Sequence, residues 1–155
     1  MKLYIARHGN AVSKAENPSR PLSVTGNAEI ERMSAFLADA GVRLYRVMHS
    51  GKTRAKQTAE IYARVLGKSS TLEQMAGLNP GDDPLGLSKV IHDLNTDTMI
   101  CGHLPYLDRL CALLISGNPD LPILSLTTGA VACLERDDYM DGWQLAWLVD
   151  PSLLG

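Results

Sequence analysis

A chain of 155 residues with 45% hydrophobic and 21% charged side chains is neither disordered nor fibrous in composition, and it predicts one globular domain over residues 1–155. The formal net charge is -2 with Lys and Arg scattered along the chain, so the long-range field of a duplex-binding protein is missing and no nucleic-acid partner is expected. Cys101, Cys111 and Cys133 form no CxxC pair, which fits reduced, packed thiols; with no apolar run of membrane-spanning length and no signal-peptide pattern in MKLYIARHG, the expected location is cytoplasmic, away from membranes.

Lys2 to Ala6 reads as a short buried strand that delivers Arg7 and His8 at its carboxyl end, where Gly9 follows at once. Asn10 to Ser23 is rich in polar residues and proline and predicts a surface loop. Thr25 is a candidate cap for the next helix, with Ile30, Met33, Leu37 and Ala40 on one face and Gly41 as a left-handed stop. Leu44 to Met48 predicts a second strand ending at His49-Ser50-Gly51. Thr53 opens a second helix through Ala59, Ile61, Tyr62 and Val65 to Gly67.

From Ser69 to Pro84 the expectation is a loop, with Asn79-Pro80-Gly81-Asp82-Asp83 as its strongest turn signal. Leu87, Val90, Ile91 and Leu94 then mark a third helix. Thr98 to Cys101 predicts a strand, Gly102-His103-Leu104-Pro105 a turn, and Leu107, Leu110, Cys111 and Leu114 a fourth helix. Ala130 to Leu134 and Trp143 to Val149 read as strands joined through the polar segment Glu135 to Gly142, which suits an edge hairpin. Strands alternating with helices imply an α/β fold: a three-layer α/β/α sandwich with a mainly parallel central sheet and an antiparallel edge hairpin. Ligands of such sheets lie beyond the carboxyl ends of the strands.

Three strand ends deliver Arg7-His8-Gly9, Ser50 with Arg54 one turn later, and Gly102-His103. Arginine presents a planar fork that pairs with phosphate oxygens, and a helix N-terminus adds free N–H groups, so the expected ligand is a phosphoryl group or a phosphate-mimicking anion. A neutral imidazole nitrogen attacks phosphorus directly, and neighbouring cations favour the neutral form of His8. Fixed cations aimed at the equatorial oxygens lower the barrier to transfer, and no metal, metal-ligand spacing or cofactor is called for.

In order along the chain, Arg7-His8-Gly9, the segment Ser50-Gly51-Lys52-Thr53-Arg54-Ala55-Lys56-Gln57-Thr58-Ala59 and Gly102-His103 resemble the histidine phosphatase superfamily, the phosphoglycerate mutase-like enzymes. Length, Arg20-Pro21-Leu22-Ser23 before a Thr-Gly helix start, and His103-Leu104-Pro105 make the chain most similar to the small SixA-type phosphohistidine phosphatases. The resemblance implies that His8 is the nucleophile, that Arg7 and Arg54 clamp phosphate, and that His103 contacts the transferring group. It places Arg20 at the rim, with Ser50 and Leu104 as further substrate-binding candidates. Larger relatives carry a proton-donating carboxylate; Met75 to Asn79 contains none, which leaves Asp82 and Asp83 as candidate general acids, with plain turn residues as the simpler reading.

The leading expectation is a metal-independent phosphatase acting on phosphohistidine in a protein, such as a phosphotransfer domain, through a covalent phospho-His8 intermediate. The alternatives are a phosphatase for small phosphate esters, which would need a donor such as Asp82 or Asp83, and a phosphate-binding module without turnover. His49 and His92 lack matching partners and read as structural. Cys101, close to His103 in sequence, reads as a packed thiol rather than a nucleophile.

Overall fold

The computed structural model describes residues 1–139 and 141–155, with the side chain of residue 68 set aside. Among them, six strands form one sheet in the order β3-β2-β4-β1-β5-β6, where β1 is Lys2–Arg7, β2 Leu44–His49, β3 Gly67–Gln74, β4 Thr98–Gly102, β5 Val131–Asp137 and β6 Gly142–Val149. β1–β4, β2–β4 and β2–β3 pair in parallel, whereas β1–β5 and β5–β6 are antiparallel. The helices are α1 (Val24–Asp39), α2 (Thr53–Leu66), α3 (Pro84–His92) and α4 (Tyr106–Ser116), and a 3₁₀ turn closes the chain at Pro151–Leu154. No helix among the described residues is long and apolar enough to cross a membrane.

The alternation of β1 explains the layers. Leu3 and Ile5 point to one face, where they join Leu87, Ile91, Leu107 and Leu110 of α3 and α4. Tyr4 and Ala6 point to the other, where Ile30, Met33 and Leu37 of α1 meet Ala59 and Tyr62 of α2. A strand buried on both faces has no polar position to offer, which is why β1 and β4 read as continuous apolar runs. Cys101 packs among the α1 and α2 residues, fully buried, and burial pushes its thiol pKa up. That is a packing cysteine in an apolar core.

Three elements differ from the sequence expectation. The segment expected as loop from Ser69 to Pro84 contains most of β3, an edge strand that begins at Gly67. Its side chains are mostly polar, with Leu72 41% exposed, so it lacks the apolar alternation by which strands are read. It is held by backbone pairing and by Arg46, whose Nε and Nη2 donate to the two carboxylate oxygens of Glu73, each at 2.8 Å. The cap of α1 is Ser23 rather than Thr25: Ser23 Oγ accepts from Gly26 N at 2.9 Å. Ala40, expected on the buried face of α1, lies past the helix end and is exposed. In the C-terminal hairpin, β5 runs on to Asp137, so the strands take up much of the expected polar connection, whose residue 140 lies outside the described residues.

Gly26 fixes the loop that follows the first strand. A Cβ there would stand 2.0 Å from Asn10 O and 2.8 Å from Asn10 N, backbone atoms two residues beyond His8. Helix propensity favours alanine over glycine by about 1 kcal/mol, whereas overpacking against backbone costs about 1–3 kcal/mol. We expect the contact to win: Gly26→Ala should lower the denaturant midpoint, and a raised midpoint would show that the loop yields without cost.

Candidate active site

The site forms where the carboxyl ends of β1, β2 and β4 meet the amino ends of α2 and α4. His8 follows β1 directly, and its backbone is tied on both sides: His8 N donates to Gly102 O and Gly129 N donates to His8 O, each at 3.0 Å. The ring is fixed as well. Nδ1 lies 2.7 Å from Gly9 O; a carbonyl only accepts, so Nδ1 carries the proton and Nε2 keeps its lone pair. Arg54 Nε donates to that Nε2 at 3.3 Å. His103 faces His8 with ring centroids 5.1 Å apart.

His103 is almost fully buried, and its Nε2 shares a 2.6 Å hydrogen bond with Ser50 Oγ. Its Nδ1 is buried with no protein hydrogen-bond partner among the described residues, as is Arg7 Nε. Arg7 Nη1 donates to Leu126 O at 2.9 Å, so the loop entering β5 aims this guanidinium.

The electrostatics follow from the geometry. Burial is the largest influence on His8; its bond to Gly9 O works the other way, and the charges of Arg54, Arg7 and Arg20 add to the effect of burial, leaving the pKa lowered to about 4. Burial, then His8, Arg54, Lys52 and Arg7, bring His103 down to about 3. Both imidazoles are therefore neutral near pH 7. Among the described residues, neither ring is hydrogen-bonded to a carboxylate.

The structure thus brings together Arg7, His8, Ser50, Arg54 and His103. Arg20 belongs to the periphery: its Nε donates to Val12 O at 3.1 Å, and its charge is felt at His8 and Arg54. Leu104 is half-buried beside His103 and packs onto the core under α3 and α4. Asp82 and Asp83 each engage one carboxylate oxygen locally, and both charges are felt at Tyr106, the first residue of α4. Asp82 Oδ2 accepts from Asn79 N at 2.9 Å, and Asp83 Oδ1 caps α3 by accepting from Leu85 N at 3.0 Å. His49 is buried and accepts from Gly51 N through Nδ1 at 3.0 Å, shaping the turn before α2, while His92 is exposed at the end of α3.

Supporting residues emerge to which sequence reading gave no role. Thr58, one turn after Arg54, donates to Arg54 O at 2.8 Å and accepts from Gly9 N at 3.1 Å, so one hydroxyl joins the start of α2 to the end of β1. Gln57 Oε1 accepts from Leu22 N at 2.7 Å and anchors the loop before α1. The i+3 and i+4 spacing of Gln57 and Thr58 from Arg54 is the signal that marks them as neighbours on one helical face.

Comparison with known proteins agrees with this geometry. The model of the Histidine phosphatase superfamily (branch 1) matches residues 3–80. The phosphohistidine phosphatase SixA of Escherichia coli (strain K12) is 31% identical over 154 residues, 94% of each chain. A solved structure of the protein histidine phosphatase SixA complexed with tungstate superposes with a TM-score of 0.88 at 30% identity, covering 100% of both chains. A candidate phosphohistidine phosphatase SixA from Agrobacterium tumefaciens shares the fold, with a TM-score of 0.76 at 22% identity over 96% of this chain and 97% of its own. A strand-end histidine pair flanked by arginines, on this fold and with these relatives, makes the chain a phosphatase that belongs to the histidine phosphatase superfamily, branch 1.

Proposed function

We propose that the chain removes the phosphoryl group from phosphohistidine in a protein, passing it first to His8 and then to water. The observation that carries this reading is the fixed ring of His8: Nδ1–H is held by Gly9 O at 2.7 Å, and the Nε2 lone pair stands among Arg54, Arg7 and His103. In the first step that lone pair forms a bond to phosphorus while the P–N bond of the substrate breaks, its electron pair leaving on the substrate imidazole. In the second, water attacks phospho-His8, the new P–N bond breaks, and phosphate and neutral His8 are released.

Arg7 and Arg54 bind the equatorial oxygens, where charge is spread during transfer, and His103 contacts the same group with Ser50 holding its ring. Arg20 is a rim contact. The substrate class follows from the leaving group. An alkoxide must be protonated as it departs, whereas a phosphohistidine ring already protonated on its other nitrogen leaves as neutral imidazole. With neither site histidine hydrogen-bonded to a carboxylate among the described residues and with Asp82 and Asp83 each bonded to a nearby backbone N–H, the residues favour the leaving group that does not need a donor. The relative named phosphohistidine phosphatase SixA, and the similar structure of the protein histidine phosphatase SixA solved with the oxyanion tungstate, support the same reading.

The test sets phosphorylated imidazole, a histidine-phosphorylated protein and a sugar phosphate against wild type, His8→Ala and the double variant Asp82→Asn/Asp83→Asn. Wild type should cleave the two phosphoramidates far faster than the ester, His8→Ala should lose turnover yet still bind phosphate, and the double variant should stay within a few-fold of wild type. Loss of more than about a hundredfold in the folded double variant would identify a loop aspartate as general acid and overturn the phosphohistidine assignment. Asparagine still caps α3 at position 83, so folding is not at issue.

The pKa of His8 supplies a second prediction. Between about pH 6.5 and 4 the unfolded chain takes up a proton at His8 that the folded ring refuses, so stability falls as pH drops through that window. Nitrogen-15 NMR of the free protein should show His8 neutral and protonated on Nδ1 at pH 5.5. A midpoint near 6.5 would mean that burial and the arginines do not control the ring.

A further inference from the structure

The net charge of the chain is negative, yet one groove beside the site is lined by four cations. Lys14, Arg20, Lys52 and Arg54 border a cavity of about 360 Å³ together with Ser19 and Gly51. It is continuous with the site, because Arg54 lines the groove while its Nε reaches His8, and the charge of Lys52 is felt at His103. The ion pairs among the described residues lie elsewhere: Lys2–Glu135, Arg46–Glu73, Lys56–Glu60, Arg64–Glu31 and Arg109–Asp120. None of them engages a groove cation.

Resting on the phosphohistidine reading, we propose that this groove is a docking surface for Asp and Glu side chains that flank the phosphorylated histidine of the substrate protein. The division of cation types points to carboxylates rather than a second phosphate. Arginine forks suit bidentate phosphate recognition, and Arg54 is turned toward His8. Lys14 and Lys52 are exposed point charges on flexible stems, which meet carboxylates in many orientations. Exposed contacts of this kind contribute little each; their joint field speeds encounter and lowers KM, and leaves the chemical step to the histidines. A segregated positive groove on a negative protein also orients an acidic partner so that its phosphohistidine arrives at His8.

The probe is a pair of phosphohistidine peptides of equal length, one flanked by Asp and Glu and the other by Asn and Gln, with phosphorylated imidazole as the small reference. Wild type at low salt should prefer the acidic peptide by about tenfold in kcat/KM, through KM, and added salt should erase the preference. Lys14→Gln should weaken the preference while cleaving phosphorylated imidazole at close to the wild-type rate, and Lys14→Gln/Lys52→Gln should abolish the preference. Lys14→Glu/Lys52→Glu should reverse it toward a lysine-flanked peptide. Equal kcat/KM for the two peptides, insensitive to salt, would overturn the docking surface while leaving the phosphohistidine assignment in place. If neither peptide nor phosphorylated imidazole is cleaved while a sugar phosphate is, the assignment itself fails and the docking surface with it.

Discussion

The site depends on holding one imidazole neutral and immobile among several positive charges. Imidazole in water is protonated over part of the range in which cells work, and a protonated ring has no lone pair with which to attack phosphorus. Here burial and the neighbouring guanidinium groups disfavour the proton, while Gly9 O selects the tautomer that leaves Nε2 unprotonated. The same cations that keep His8 neutral are the ones an anionic substrate would meet. On the proposed reading, a single placement of charge keeps the attacking nitrogen unprotonated and meets the phosphoryl group it attacks.

That arrangement needs a sheet whose strand ends coincide. β4 lies between β1 and β2, and parallel pairing puts Arg7 opposite Gly102 and His49 opposite Cys101. The residues that follow each strand consequently emerge side by side, which brings His8, Ser50 and His103 together from positions far apart in sequence. The antiparallel β5 reaches the same edge from the opposite direction. Its entering loop closes the ring of contacts through Leu126 O to Arg7 and Gly129 N to His8. Asp108 of α4 steadies that loop by accepting from Leu126 N at 3.0 Å.

Much of this was legible in the sequence because its signals are local. An apolar run broken by Gly9 or Gly102 announces a strand end, and the charged or imidazole side chain beside that break needs a reason to be there. The layer order and edge hairpin followed from the alternation of elements. β3 was illegible for a physical reason: an edge strand with a polar surface buries too little to show a pattern, and the bidentate Arg46–Glu73 pair that fixes it joins residues 27 apart. Ser23 and Thr25 are both competent caps by type, and only the entry angle of the chain distinguishes them. Gln57 and Thr58 stood in the quoted motif without a role, and Leu126 outside it, because each has a partner in another element; Leu126 reaches Arg7 through a carbonyl that every residue possesses. Asp82 and Asp83 sit in a turn whose Pro-Gly-Asp chemistry was legible, and each places one carboxylate oxygen on a nearby backbone N–H.

The central claim is that Nε2 of His8 bonds to phosphorus during turnover. Rapid mixing of wild-type protein with a phosphorus-32-labelled phosphohistidine protein, followed by denaturing quench and peptide mapping, tests it most directly. Label should appear on the peptide containing His8, lost in acid and stable in base, and should be missing in His8→Ala. Full turnover with no label retained at His8 under conditions that preserve phosphohistidine, or label on serine or Cys101, would contradict it.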